Sequence, residues 1–143
     1  MTDTAGVPGR GPGTNTPAAV AAWHEFVRTR DRQALQLLLS DDVVFRSPAV
    51  HKPQAGRRLT TAYLEAAVVV LGPRLTYHRE WFADDSAVLE FTTVVDEVEI
   101  HGVDMLSWGA DDRLVEFTVM VRPHKALVAL IEQMGAELER STS

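Results

Sequence analysis

The residues from Glu97 to Arg122, EVEIHGVDMLSWGADDRLVEFTVMVR, constrain the chain most. They alternate with a period of two on either side of Gly109-Ala110-Asp111-Asp112, which predicts two long antiparallel strands joined at that turn. On the first strand Ile100, Gly102, Asp104, Leu106 and Trp108 share one face, and His101, Val103, Met105 and Ser107 share the other. Asp104 thus stands where an apolar residue is expected. A carboxylate there needs a hydrogen-bonding network or a cavity to offset its lost hydration, which makes Asp104 the first candidate functional residue.

At 143 residues and 45% hydrophobic content, the chain has material for one domain with a substantial core and too little for two. Its 14 basic and 20 acidic residues leave a net charge of −6, with no basic cluster beyond Arg57-Arg58. That balance argues against nucleic acid and anionic membranes as partners. The absence of cysteine excludes disulfides, thiolate metal sites and a Cys nucleophile, and fits a reducing compartment. No basic start precedes an apolar run at the N-terminus, and the longest apolar run, Ala66 to Leu71, is far below the roughly 20 residues of a membrane span. A soluble, cytoplasmic protein is the expectation.

Residues 1–16 are rich in Gly, Pro and Thr and nearly devoid of apolar side chains, so they are expected to form a disordered tail ahead of a domain spanning 17–140. Thr16-Pro17 predicts a helix start with a capping hydroxyl, followed by a stripe of Val20, Trp23, Phe26 and Val27. Trp23 and Phe26 either line a cavity or serve as plain core. A second short helix with Leu35, Leu38 and Leu39 inward follows a break near Arg30, then a short strand, Val43 to Phe45. Ser47, just before Pro48, is extended, and its hydroxyl either points into a cavity or stabilises the turn. The segment from Ala49 to Arg57 reads as a loop. A third helix, Leu59 to Leu71, has Leu59, Ala62, Tyr63, Ala66, Ala67 and Val70 as inward candidates, and Tyr63 needs a partner for its hydroxyl if buried. Four strands follow, Leu75 to Phe82, Ala87 to Val95, Val98 to Trp108 and Leu114 to Val121, and their length predicts a strongly curved antiparallel sheet. Pro123 opens a last helix with Leu127, Leu130, Ile131, Met134 and Leu138 on one side. Helices followed by a run of strands make an α+β layer arrangement, a cone whose mouth suits a ligand.

In its order and spacing of LLLSDDVVFRSP at positions 37 to 48, Gly56 before the third helix, VDMLSW at positions 103 to 108 and Val119 to Pro123, the chain resembles the NTF2-like superfamily, and within it the SnoaL-like and ketosteroid-isomerase-like proteins. The resemblance implies an α+β cone, a curved, mostly antiparallel sheet wrapped around N-terminal helices with a C-terminal helix. For the isomerases it implies a pocket with a carboxylate base, a tyrosine donor and a protonated carboxylic acid donor. A carboxyl group kept neutral by an apolar site in that way is a known device of the family. Asp104 falls at the acid donor, Ser47 at the base and Trp23 at the tyrosine. With two of the three parts replaced, an ordinary ketosteroid isomerase is disfavoured, because a lone Ser hydroxyl does not abstract a carbon-bound proton near pH 7.

The expectation is therefore a SnoaL-like small-molecule pocket protein. It is read as an acid/base isomerase, cyclase or dehydratase acting on an apolar metabolite, with Asp104 as the proton-handling residue. The alternatives are a non-catalytic binder of an apolar ligand and a dimeric interaction module. The substrate-binding candidates are Trp23, Phe26, Ser47, Tyr63, Trp108, Phe117, Val119 and Val121, with Tyr63 as the expected hydroxyl partner of Asp104. No cofactor and no metal are expected. His78 with Glu80 and Glu99 with His101 share strand faces, but their spacing reads as a polar outer sheet surface rather than a metal site. A homodimer through the sheet face is expected.

Overall fold

A computed structural model of the chain describes residues 15–142. The predicted tail, residues 1–16, lies outside them apart from Asn15 and Thr16. The elements follow in the order α1 (Ala18–Thr29), α2 (Arg32–Leu38), β1 (Leu39–Arg46), β2 (Gln54–Ala55), α3 (Arg57–Leu71), a 3-10 turn (Gly72–Arg74), β3 (Thr76–Phe82), β4 (Ser86–Val95), β5 (Val98–Trp108), β6 (Leu114–Arg122) and α4 (His124–Thr142). The six strands form one sheet in the order β2-β1-β6-β5-β4-β3. β3 to β6 make the expected antiparallel meander, whereas β1 runs parallel to β6, so the sheet is mixed. The helices cover its concave face, giving the α+β cone with a C-terminal helix.

Helix α1 buries Val20, Trp23 and Phe26 as its periodicity predicts, together with Ala19. Its N-cap is Pro17, one residue later than expected, and the proline side chain makes no capping bond. The helix ends where Arg30 takes the left-handed conformation, and Asp31 then caps α2 by accepting from the Gln33 and Ala34 amides.

The predicted face of α3 is buried only in part: Ala66 is buried and Tyr63 and Val70 pack against the core. Thr60, Thr61, Leu64 and Val68 are buried, while Leu59 is 41% exposed and Ala62 is exposed. Apolar residues occupy several sides of this helix, so hydrophobicity alone sets no face. The Thr61 hydroxyl donates to the Arg57 carbonyl and so enters the core with its polar group satisfied. In α4 the buried residues are Ala126, Ala129 and Leu130, with Met134 packed against the core, and Ile131 turns out to be 43% exposed. Small alanines allow the close approach that the larger aliphatic stripe would block.

Two backbone features place the interior side chains. Tyr77 pairs with Phe91 and Glu80 with Leu89, so three steps along β3 match two along β4. This β-bulge breaks the alternation and turns both Tyr77 and Glu80 inward. On β5, Gly102 lies between Phe91 and Val121 across the sheet. A Cβ there would come within 2.5 Å of the Met120 carbonyl oxygen and 2.8 Å of the Phe91 ring. Glycine is what lets the Phe91 ring approach β5 this closely. Gly102→Ala is therefore expected to lower the unfolding free energy by about 1 to 3 kcal/mol in urea denaturation, as for other overpacked cores.

Candidate functional site

The register of the meander sets Glu80, Leu89, Asp104 and Val119 in one row across the concave face, with Tyr77, Phe91, Gly102 and Val121 in the next. Asp104 is 5% exposed and surrounded by apolar neighbours on β4, β6 and α3. The Tyr77 hydroxyl donates to Asp104 Oδ2 at 2.6 Å, and the Trp23 indole N–H donates to the Tyr77 oxygen at 2.9 Å. The three side chains come from α1, β3 and β5 and form one directed chain of hydrogen bonds. Asp104 Oδ1 accepts no hydrogen bond from the described residues.

Burial pushes the Asp104 carboxyl up from 3.8 to about 7, opposed by the hydrogen bond from Tyr77 and by the charge of His24. Burial and the adjacent Asp104 charge together push the Tyr77 phenol well above its ordinary value. Tyr77 thus remains a donor across the physiological range while Asp104 exchanges its proton near neutrality. One turn-step from Trp23, His24 Nε2 lies 2.6 Å from Glu80 Oε2. The His24 ring meets the Tyr77 ring edge-on at 4.8 Å.

A cavity of about 30 Å³ touches this chain, lined among others by Trp23, Leu64, Tyr77, Asp104, Phe117 and Val119. It has room for one or two waters, against the ~300–1,000 Å³ of ordinary ligand pockets. Of the sequence candidates, Trp23, Asp104, Phe117 and Val119 line this cavity together.

The other candidates lie elsewhere. Ser47 Oγ accepts from the Ala49 amide at 2.9 Å and so stabilises its own turn, away from the cavity lining. Tyr63 sits against Phe45 with ring centroids 6.0 Å apart, and the partner of Asp104 is Tyr77 instead. Phe26 packs behind Trp23 and faces the groove beside α3 and α4. Trp108 is buried at the far end of β5, outside the cavity lining. Val121 packs beside Gly102 and borders the outer groove. For the last four the alternation or helical stripe reports burial, and burial is shared by core and cavity alike.

Sequence reasoning missed Tyr77, His24 and Glu80. With only two tyrosines in the chain, Tyr77 was the remaining candidate for a hydroxyl partner, but an unbroken alternation gave no reason to set it beside Asp104. The bulge also separates the supposed pair, leaving His78 outside against Thr92 and Glu80 inside. On the convex face Glu90 binds Arg79 through two hydrogen bonds and His101 through one, which together hold its carboxyl down at about 2. Among the described residues no group of three or more His, Cys, Asp or Glu side chains is placed to hold a metal ion. None of the described helices is long and apolar enough to cross a membrane.

Fold and site together define a curved-sheet cone protein that keeps an ionisable carboxyl group in its apolar interior. No family model matches the chain, and neither does any curated protein sequence. Among solved structures, a steroid delta-isomerase from Pseudomonas aeruginosa is 40% identical over 91% of this chain and 96% of its own, with a TM-score of 0.83. A bacterial protein with a cystatin-like fold from Silicibacter pomeroyi DSS-3 is 28% identical over 86% of each chain, with a TM-score of 0.80. An NTF2-like protein of unknown function from Mesorhizobium loti, 19% identical over 79% of this chain and 98% of its own, shares the fold at a TM-score of 0.65. The chain belongs to the NTF2-like superfamily, among proteins with the ketosteroid-isomerase-like fold.

The raised Asp104 value has a consequence for stability. Between about pH 4 and 7 the folded protein keeps a proton that the unfolded chain has released, so this group makes stability fall as pH rises through that window. Asp104→Asn removes the effect. The variant is expected to match the wild type near pH 4 and to exceed it by roughly 4 kcal/mol at pH 8, at about 1.4 kcal/mol per pKa unit over the rise from 3.8 to about 7, in urea denaturation across pH.

Proposed function

We propose that this protein is a proton-transfer enzyme of the isomerase type, acting on a small apolar carbonyl compound with Asp104 as the group that takes and returns the proton. The observation that carries the reading is the Tyr77 to Asp104 hydrogen bond in an apolar site, with the carboxyl poised at about 7. A base is most effective when its pKa lies near the working pH. The 40% identity to a structure described as a steroid delta-isomerase supports the same reaction class.

In this reading the ionised Asp104 removes a proton from the carbon beside the carbonyl through Oδ1. The carboxyl is then neutral and holds the Tyr77 hydroxyl less strongly. Tyr77 turns its O–H to the developing enolate oxygen, while Trp23 continues to hold the phenol oxygen. Return of the proton to a different carbon completes a double-bond shift. The cavity must enlarge to admit a substrate, and the movable wall is the α3 side, Leu64, Val68 and Leu71, because the sheet side is tied by the strand ladders.

A second reading, a non-catalytic binder in which Asp104 only orients the ligand, is favoured by one observation. Ser47, at the position that the resemblance gives to the base, has its hydroxyl engaged in the turn.

The test is turnover of β,γ-unsaturated ketones of graded size, followed by the ultraviolet absorbance of the conjugated product and by deuterium uptake from D₂O. The wild-type kcat/KM is expected to rise about tenfold per pH unit below pH 7 and to level off above it. Asp104→Asn is expected to lose a factor of about 10² or more, and Tyr77→Phe roughly tenfold. Ketones that bind without turnover or exchange establish the binder, and undiminished turnover by Asp104→Asn removes the assignment.

A further inference from the structure

A second carboxylate lies inside the cone and takes no part in the mechanism above. Glu80 is 1% exposed, its Oε2 meets His24, and its Oε1 has no hydrogen-bond partner. A buried carboxylate with a single partner is costly to keep, so the bulge that turns Glu80 inward needs an offsetting role. The register places Glu80 and Asp104 on either side of Leu89, with backbones two strand spacings apart, roughly 10 Å.

Helix α1 meets this arrangement with two consecutive residues. Trp23 holds the Tyr77 hydroxyl and His24 holds Glu80, so one helix turn reads both inward polar groups of β3. The imidazole is held through Nε2 by Glu80 and meets the Tyr77 ring in a T-shaped contact. Its side chain is 20% exposed and so retains contact with solvent. The ionisable side chains facing Asp104 are Tyr77 and Glu80 from β3 and His24 from α1. β4, β6 and α3 present Leu89, Phe91, Val119, Phe117, Leu64 and Val68, none of which titrates.

We infer that His24 is a positioning residue of the Asp104 site. Locked by Glu80, it braces the Tyr77 ring and, when protonated, supplies the cationic charge that opposes the two inward carboxylates, which allows Asp104 to ionise within the apolar interior. The electrostatic influence of His24 on Asp104 runs in the direction this role requires. The inference rests on the reading of Asp104 as the proton-handling group.

The experiment needs no substrate, so its outcome is separate from whether any ketone turns over. The Asp104 carboxyl carbon is titrated by NMR in the wild type and in His24→Gln, with folding checked by urea denaturation. The midpoint is expected to move up by about one pH unit in the variant. In the wild type, the Asp104 curve and the His24 ring-nitrogen curve should each carry an inflection at the other's midpoint, as interacting groups do. This second measurement holds even if the variant does not fold. A folded His24→Gln with an Asp104 midpoint within about 0.2 unit of the wild type overturns the role, and so do wild-type curves that titrate independently.

Discussion

The site depends on the desolvation of one carboxyl group. Asp104 sits in the middle of a long central strand, on the face that the helices cover, and everything it touches there is apolar except Tyr77. Burying that group ionised and alone would cost several kcal/mol. The hydrogen bond from Tyr77 recovers part of that, and the rest appears as a carboxyl held near neutrality. Trp23 completes the arrangement by fixing the oxygen through which Tyr77 would otherwise rotate. A structure that merely filled its core would have placed a Leu at this position; the carboxyl instead leaves an ionisable group inside the cone.

The sheet separates two electrostatic environments by the thickness of one strand. Glu90 and Leu89 are neighbours on β4, yet Leu89 faces inward beside Asp104 and Glu90 faces outward to Arg79 and His101. Hydrogen bonds from Arg79 and His101 drive the outer carboxyl down to about 2, while burial drives the inner one up to about 7. The same residue chemistry thus gives surface pairing on one side and a buried ionisable group on the other, and strand alternation assigns the sides. The β3 bulge is the exception that adds Glu80, and with it His24, to the interior.

Much of the architecture was legible in the chain because it depends on local periodicity. The long strands, the Asp-rich turns between them, α1 with Val20, Trp23 and Phe26, and the inward position of Asp104 all follow from counting by two or by three and four. Periodicity failed where several faces of an element were equally apolar, as in α3, whose buried side includes Thr60 and Thr61 and leaves Leu59 outside. It failed again where a polar side chain is buried with its partner close by, since hydropathy scores the residue and not the pair. The parallel pairing of β1 with β6 could not be read either, because a short strand carries no signal of its neighbour's direction.

From the sequence by itself came the α+β class, the order of elements and a carboxylate aimed at the core, because each of these is set by residues adjacent in the chain. The partners of that carboxylate were decided only in three dimensions. Tyr77 reaches Asp104 across 27 positions, and His24 reaches Glu80 across 56. Both contacts require a one-residue bulge in β3 and the seating of α1 over the sheet. A bulge depends on which strand pairs with which, and the burial that shifts the carboxyl depends on every wall of the cone, so neither is encoded within any single stretch of residues.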